Sequence, residues 1–288
     1  MAAIIIDGKA IAAKVKEDVR QRADSLKSRG IVPCLAVVLV GDNPASVSYV
    51  KGKQKALSNA GMEGRDIRLP ETVPEEELLS LIASLNADET VHGILVQLPL
   101  PAQIRAERVI SAMDPRKDVD CFHPISLGKL LEGQSGFLPC TPQGVVVLLQ
   151  ELKIPIAGRH AVVVGRSNIV GKPLAMLLAR RELNATVTLC HTGTENLASH
   201  TRQADILVAA AGKAGLIKGD MIKPGAAVID VGVNQEQTGS GTHLVGDVVF
   251  DEAVNVAGWI TPVPGGVGPM TIAMLMRNVL QAAEGQKE

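Results

Sequence analysis

A chain of 288 residues, 46% hydrophobic and 20% charged, has room for about two globular domains. The net charge of −1 is balanced in both halves, with 17 basic against 18 acidic residues over 1–140 and 12 against 12 thereafter. That balance excludes the basic stripe a phosphate backbone requires, so no nucleic-acid partner is expected.

Aromatic residues make up only 2%, so the cores must be built from Val, Ile, Leu and Ala. Such cores suit parallel sheets covered by helices on both faces. Cys34, Cys121, Cys140 and Cys190 are scattered, with no C-x-x-C pair and no histidine at zinc-finger spacing. Neither a structural metal nor a disulfide framework is expected. The apolar start turns polar at Asp7, and no segment approaches the roughly 20 apolar residues of a membrane span. A cytoplasmic protein is the expectation.

In chain order, Ile11, Val15, Val19 and Leu26 predict a helix over 10–29 that stops at Gly30. Residues 34–41 form a continuous apolar run ending in glycine, the pattern of a buried strand. Asn43-Pro44 supplies a cap and a first-turn proline for a helix running to Gly61. A helix with an acidic start over 74–85 and a strand over 93–98 complete a first α/β unit. A helix from Thr141 to Leu152 marks the domain boundary. Beyond it, strands are expected at 185–190, 206–210 and 226–231, after a first one ending at Gly165. The expected fold is therefore α/β in two domains, 1–140 and 141–269. The apolar helix of 270–288 returns to pack on the first.

Val162-Val-Val-Gly-Arg-Ser-Asn-Ile-Val-Gly-Lys-Pro173 resembles the turn of a dinucleotide-binding βαβ unit, with Ser167 where the middle glycine would stand. Two readings stay open on this stretch alone. One is a tight strand-to-helix turn. The other is a cradle whose backbone N–H groups and helix N-terminus hold a pyrophosphate. The following strand ends Val187-Thr-Leu-Cys-His-Thr192 with no carboxylate for a ribose 2′-hydroxyl, and Arg166 is either a solvated loop arginine or a guanidinium fork for a 2′-phosphate. The cofactor reading leans to NADP.

The helix after Pro44 carries Ser46, Tyr49 and Lys53 on one face, with Val50 and Leu57 read as a separate packing stripe. Gln97, a polar amide near the end of an apolar strand, either satisfies buried backbone or faces the cleft where open α/β sheets place ligands. Asp114-Pro-Arg-Lys-Asp-Val-Asp120 reads either as a solvated turn or as a loop whose Asp120 accepts hydrogen bonds from an amidine-like edge. Thr261-Pro-Val-Pro-Gly-Gly-Val-Gly-Pro-Met-Thr271 is a stiff loop without bulky walls, open to close backbone approach by a ligand.

Taken together, these segments resemble the bifunctional methylenetetrahydrofolate dehydrogenase/cyclohydrolase family. The matching pieces are Gly41-Asp-Asn-Pro-Ala-Ser46 with Tyr49-x-x-x-Lys53, Gly93-Ile-Leu-Val-Gln-Leu-Pro-Leu-Pro101, Lys117-Asp-Val-Asp120, Gly165-Arg-Ser-Asn-Ile-Val-Gly171 and Pro264-Gly-Gly-Val-Gly-Pro-Met-Thr271. The resemblance implies oxidation of 5,10-methylenetetrahydrofolate with NADP⁺, then hydrolysis of the methenyl product to 10-formyltetrahydrofolate, in a cleft between two domains. It makes Lys53 the general acid/base, held by Gln97, with Tyr49 stacking on the folate and Asp120 anchoring the pterin. It places Gly165, Arg166, Ser167, Thr192 and Val233 on the cofactor, Pro264, Gly265 and Gly266 on the folate, and pairs the chain as a homodimer through the nucleotide domain.

These residue types suit the chemistry. A lysine beside a cationic intermediate can shed its proton and activate water as a neutral amine, which an arginine cannot do. Cys121 stands where many relatives carry glycine, so a slightly different pterin-anchoring loop is expected. His123 and His191 are read as structural or as supports for the site residues they flank. Two alternatives remain: a dehydrogenase without the hydrolytic step, against which Lys53 and Gln97 argue, and a non-catalytic NADP-sensing protein, which would not need the first domain's polar set.

Overall fold

The computed structural model describes residues 2–238 and 241–285. In chain order the strands are β1 (Ile4–Ile5), β2 (Cys34–Val40), β3 (Glu63–Leu69), β4 (Gly93–Val96), β5 (His160–Val164), β6 (Thr186–Cys190), β7 (Ile206–Ala209), β8 (Ala227–Asp230), β9 (Asn234–Thr238), β10 (Gly241–Val245) and β11 (Trp259–Ile260). The helices are α1 (Gly8–Ser28), α2 (Pro44–Asn59), α3 (Glu75–Ala87), α4 (Ala106–Ala112), α5 (Pro124–Glu132), α6 (Cys140–Glu151), α7 (Gly171–Ala179), α8 (Leu197–Thr201), α9 (Phe250–Ala253) and α10 (Val267–Gly285). The chain divides into two compact units, Lys14–Leu138 with Ile272–Glu288, and Met1–Ala13 with Pro139–Thr271. Residues 286–288 of the expected last helix lie outside the described residues.

The first of these units is built on a parallel sheet ordered β3-β2-β4. Every residue of β2 is buried, as its unbroken apolar run dictates. β3, Glu-Gly-Arg-Asp-Ile-Arg-Leu, was not expected as a strand. It lies at the sheet edge, half solvated, where its paired charges Arg65–Glu63 and Arg68–Asp66 remain in water. Because β2 pairs with β3 on one side and β4 on the other, the unit has its switch point at the carboxyl ends of β2 and β4. The C-terminal helix α10 packs with this domain. Leu275, Met276, Val279 and Leu280 are buried on it, each stabilising the fold by about 1.5–3 kcal/mol. Its buried Asn278 donates to the carbonyls of Val119 and Leu138 at 2.7 and 2.9 Å, stapling the segment that follows Asp118.

The other unit holds a six-stranded sheet ordered β1-β11-β8-β7-β5-β6, parallel throughout. Four of these strands match the sequence pattern. β1 and β11 have only two residues each, below the length at which periodicity registers. The β9–β10 hairpin is antiparallel and separate from the sheet. β5 is flanked by β6 and β7, so the switch point lies at its carboxyl end, at Gly165. No helix among the described residues is long and apolar enough to cross a membrane.

Candidate functional site

In the Lys14–Leu138 unit the site is assembled from α2, the end of β4 and the loop before α5. Asn43 caps α2, its side-chain oxygen accepting from the Ala45 and Ser46 amides at 3.0 and 3.2 Å. The buried stripe of α2 is Ser46, Val50, Lys53 and Leu57, so the two stripes expected on this helix are one. Steps of four, three and four residues bring Lys53 onto the packed face, at 8% exposure, while Tyr49 lies beside it, half exposed. Lys53 Nζ donates to Gln97 Oε1 at 3.0 Å. Gln97 sits one residue beyond β4, its amide bonded to the Val38 carbonyl and its side-chain nitrogen to the Leu98 carbonyl. The lysine is thus held at the switch point by an acceptor whose other end is also tied.

The loop of 114–120 divides its acids by task. Asp114 holds Arg116, and Lys117 turns inward to donate to the carbonyls of Leu85 and Asp88 at the end of α3. Asp118 is fully buried and accepts from the Phe122 and His123 amides; burial pushes its carboxyl upward in pKa despite those bonds. Asp120 is half-buried, and no hydrogen bond ties it to another described residue. Cys121 follows at φ 60°, in the left-handed region, with Sγ donating to the Phe137 carbonyl at 3.2 Å. The cysteine therefore keeps a backbone conformation that glycine would adopt freely. Burial pushes its thiol pKa upward, which makes it a packed group rather than a nucleophile. His123 accepts from the Ile125 amide and caps α5.

In the other unit, a cavity of about 520 Å³ opens at the switch point of the six-stranded sheet, within the range of small-ligand sites. Gly165, Arg166, Ser167 and Thr192 line it, as do His191 and Lys213, which the sequence analysis did not select. Lys213 lies some fifty residues from the loop it faces, and only the β5–β7 pairing brings the two together. Ser167 Oγ accepts from the Val170 and Gly171 amides at 3.1 and 3.3 Å, so the residue replacing the middle glycine closes the first turn of α7. A β-carbon at Gly165 would collide with the Ala210 carbonyl, and one at Gly171 with the Gly165 carbonyl. No carboxylate lines the cavity among the described residues, and its cationic side chains are Arg166 and Lys213, with His191 beside them. This donor set fits a dinucleotide carrying an extra phosphate.

Val233 is half exposed beyond β8. Pro264 is exposed, Gly265 takes φ 114°, and Gly266 is buried in a tight turn, its amide donating to the Pro262 carbonyl at 2.9 Å. The turn passes so close to Gly8 that a β-carbon there would strike the Gly266 carbonyl. Gly8 is a contact that the sequence analysis missed, because nothing local to Asp7-Gly8-Lys9 signals it.

Fold and site together define a two-domain α/β protein with a dinucleotide cavity in one domain and a lysine–glutamine pair in the other. Residues 139–287 match the NAD(P)-binding domain of tetrahydrofolate dehydrogenase/cyclohydrolase, and residues 6–120 match its catalytic domain. The chain is 56% identical to the bifunctional protein FolD of Geobacillus thermodenitrificans, over 98% of each chain, and 54% identical to that of Polaromonas naphthalenivorans, over 99% of each. Among solved structures, the bifunctional FolD of Campylobacter jejuni superposes with a TM-score of 0.94 at 50% identity, covering 98% of this chain and 99% of the other. The FolD of Trypanosoma brucei, complexed with NADP cofactor and an inhibitor, does so with a TM-score of 0.94 at 40% identity, covering 99% and 98%. The chain belongs to the tetrahydrofolate dehydrogenase/cyclohydrolase family.

Proposed function

We infer that the chain oxidises 5,10-methylenetetrahydrofolate to the methenyl form with NADP⁺ and hydrolyses that product to 10-formyltetrahydrofolate. The observation that carries the reading is the pairing of Lys53 with Gln97 in a chain that also has a carboxylate-free dinucleotide cavity. Bound in that cavity, NADP⁺ supplies the hydride acceptor. Gly165, Arg166, Ser167 and Thr192 hold it, Arg166 on the 2′-phosphate, with Val233 beyond the end of β8 completing the contact.

Lys53 acts as general base toward water at the methenyl carbon, then returns a proton as the ring opens. Gln97 fixes the amine's direction, Tyr49 stacks on the folate, and Asp120 receives the pterin's hydrogen-bond donors. Pro264, Gly265 and Gly266 offer backbone to the folate. What supports Asp120 is that its neighbours Asp114 and Asp118 are already engaged with protein groups. The same proposal assigns folate chemistry to residues 1–140 with 270–288 and nucleotide binding to 141–269.

It also includes a cytoplasmic homodimer paired through the nucleotide domain, without a nucleic-acid partner. The open edge of β6 and the balanced charge support these readings. The test is a two-wavelength absorbance assay on 5,10-methylenetetrahydrofolate with NADP⁺. Reduced cofactor appearing while little methenyl product accumulates is the expected result. Methenyl accumulation in step with reduced cofactor would leave a dehydrogenase alone.

A further inference from the structure

The unit of Met1–Ala13 and Pro139–Thr271 buries two carboxylates that lie outside the cavity lining and have no part in the chemistry proposed above. Asp247 is fully buried just beyond β10, and Asp230, 4% exposed, ends β8. Asp247 Oδ2 accepts from the amides of Ala211 and Gly212 at 2.6 and 2.9 Å, and its Oδ1 accepts from the Lys213 amide and the Asn234 side chain, both at 2.9 Å. Three consecutive amides of the loop after β7 therefore converge on one carboxylate. That loop lines the dinucleotide cavity through Ala211 and Lys213.

Asp230 continues the chain of contacts. Its Oδ1 accepts from the amides of Gly232 and Asp247 at 2.9 and 3.0 Å, and its Oδ2 from the Val248 amide at 2.9 Å. Its own amide donates to Thr261 Oγ1 at 2.7 Å, at the root of the loop that ends in Gly266. A β-carbon at Gly232 would strike the Asp247 carboxylate, and one at Gly246 the Asp230 carboxylate, so the backbone is wrapped tightly around both groups.

Burying two like charges side by side is costly, and hydrophobic groups of the same volume commonly serve stability as well or better. Burial, with Asp247's charge adding to it, pushes Asp230's pKa up to about 6. What the pair does supply is direction, since charged acceptors fix several amides at once. We propose that Asp230 and Asp247 are a positioning pair: the Asp247 carboxylate holds the 211–213 wall of the dinucleotide cavity, and the Asp230 carboxylate fixes Asp247 and the segment that leads into Val233. The inference rests on the reading of that cavity as an NADP site.

In Asp247→Asn, either orientation of the amide sets an NH₂ group against two N–H donors. NADP⁺ binding measured by calorimetry should weaken by about tenfold or more, as one unsatisfied buried polar contact predicts. Cyclohydrolase turnover, assayed on methenyltetrahydrofolate without nucleotide, should change by less than about threefold, because the wall serves the nucleotide alone. Asp230→Asn sets an NH₂ group against the amides of Gly232 and Asp247 or of Val248, and should likewise weaken NADP⁺ binding by more than it changes cyclohydrolase turnover. The milder Asn234→Ala, which removes one neutral donor from Asp247, should weaken NADP⁺ binding by about two- to fivefold.

An unchanged NADP⁺ Kd in folded Asp247→Asn overturns the proposal. So does a cyclohydrolase loss as large as the loss of binding, which would mark a general structural role. Should Asp247→Asn fail to fold, an unchanged Kd in Asn234→Ala overturns it equally. Failure of the wild-type protein to bind NADP⁺ would instead remove the cofactor reading on which the pair's role depends.

Discussion

Lys53 Nζ and Gln97 Oε1 lie 3.0 Å apart although 44 positions separate them in sequence. The helix after β2 supplies the lysine and the end of β4 supplies the amide; because β2 pairs directly with β4, the two meet at one end of the sheet. A methionine at position 53 would keep the stem's volume and remove the amine. Lys53→Met should cut cyclohydrolase turnover by about 10²–10⁴-fold, the usual worth of a positioned acid/base, and weaken the dehydrogenase less. Stopped-flow absorbance on methenyltetrahydrofolate checks it, and wild-type hydrolysis rates in the variant would remove Lys53 from the mechanism.

In the proposed function Arg166 carries the choice of nucleotide. Next to a cavity without carboxylates, its guanidinium can pair with a 2′-phosphate at about 1.5–3 kcal/mol. Arg166→Ala should raise the KM for NADP⁺ by about ten- to a hundredfold and move that for NAD⁺ by much less. Equal losses for the two nucleotides would place Arg166 on the shared pyrophosphate instead.

The left-handed backbone at Cys121 separates two substitutions that would look alike from burial alone. Cys121→Gly relaxes the backbone by roughly 1 kcal/mol and gives up a comparable amount of buried contact, so its urea midpoint should stay close to that of the wild type. Cys121→Val adds a β-branched side chain at φ 60° and should destabilise by about 2 kcal/mol or more. If valine were tolerated as well as glycine, the left-handed conformation would not constrain this loop.

The sequence carried the parallel-sheet architecture because uninterrupted apolar runs such as 34–40 and 161–164 suit strands buried on both faces. It carried the glycine cradle because Gly165 and Gly171 are spaced for a strand-to-helix turn. It did not carry β3, whose alternating charges are those of an edge, nor the two-residue strands β1 and β11. The helix face was also misjudged: four buried positions of α2 form a single stripe, and Lys53 lies within it. The deepest omission is of pairings across long separations. Lys213, Gly8, Asn278 and the Asp230–Asp247 contact owe their roles to neighbours 17 to 258 positions away, and no local pattern marks them.

His92 provides a pH-dependent contribution to stability that lies outside both sites. Its Nδ1 accepts from the Cys34 amide at 3.2 Å at the start of β2, which requires a neutral ring carrying its proton on Nε2. Burial, aided by the nearby Lys117 ammonium and opposed by Glu63, lowers its pKa below the ordinary 6.5. Above pH 6.5 the ring is neutral in both the folded and unfolded chain, and its contribution is intact. As the pH falls below 6.5 the unfolded chain takes up a proton that the folded one resists, so stability is lost until the folded pKa is reached. His92→Asn keeps an acceptor facing Cys34 and removes the titration. Urea midpoints measured from pH 7.5 down to 5 should therefore fall more steeply for the wild type than for His92→Asn. Parallel slopes for the two proteins would show that the buried imidazole takes up its proton without cost.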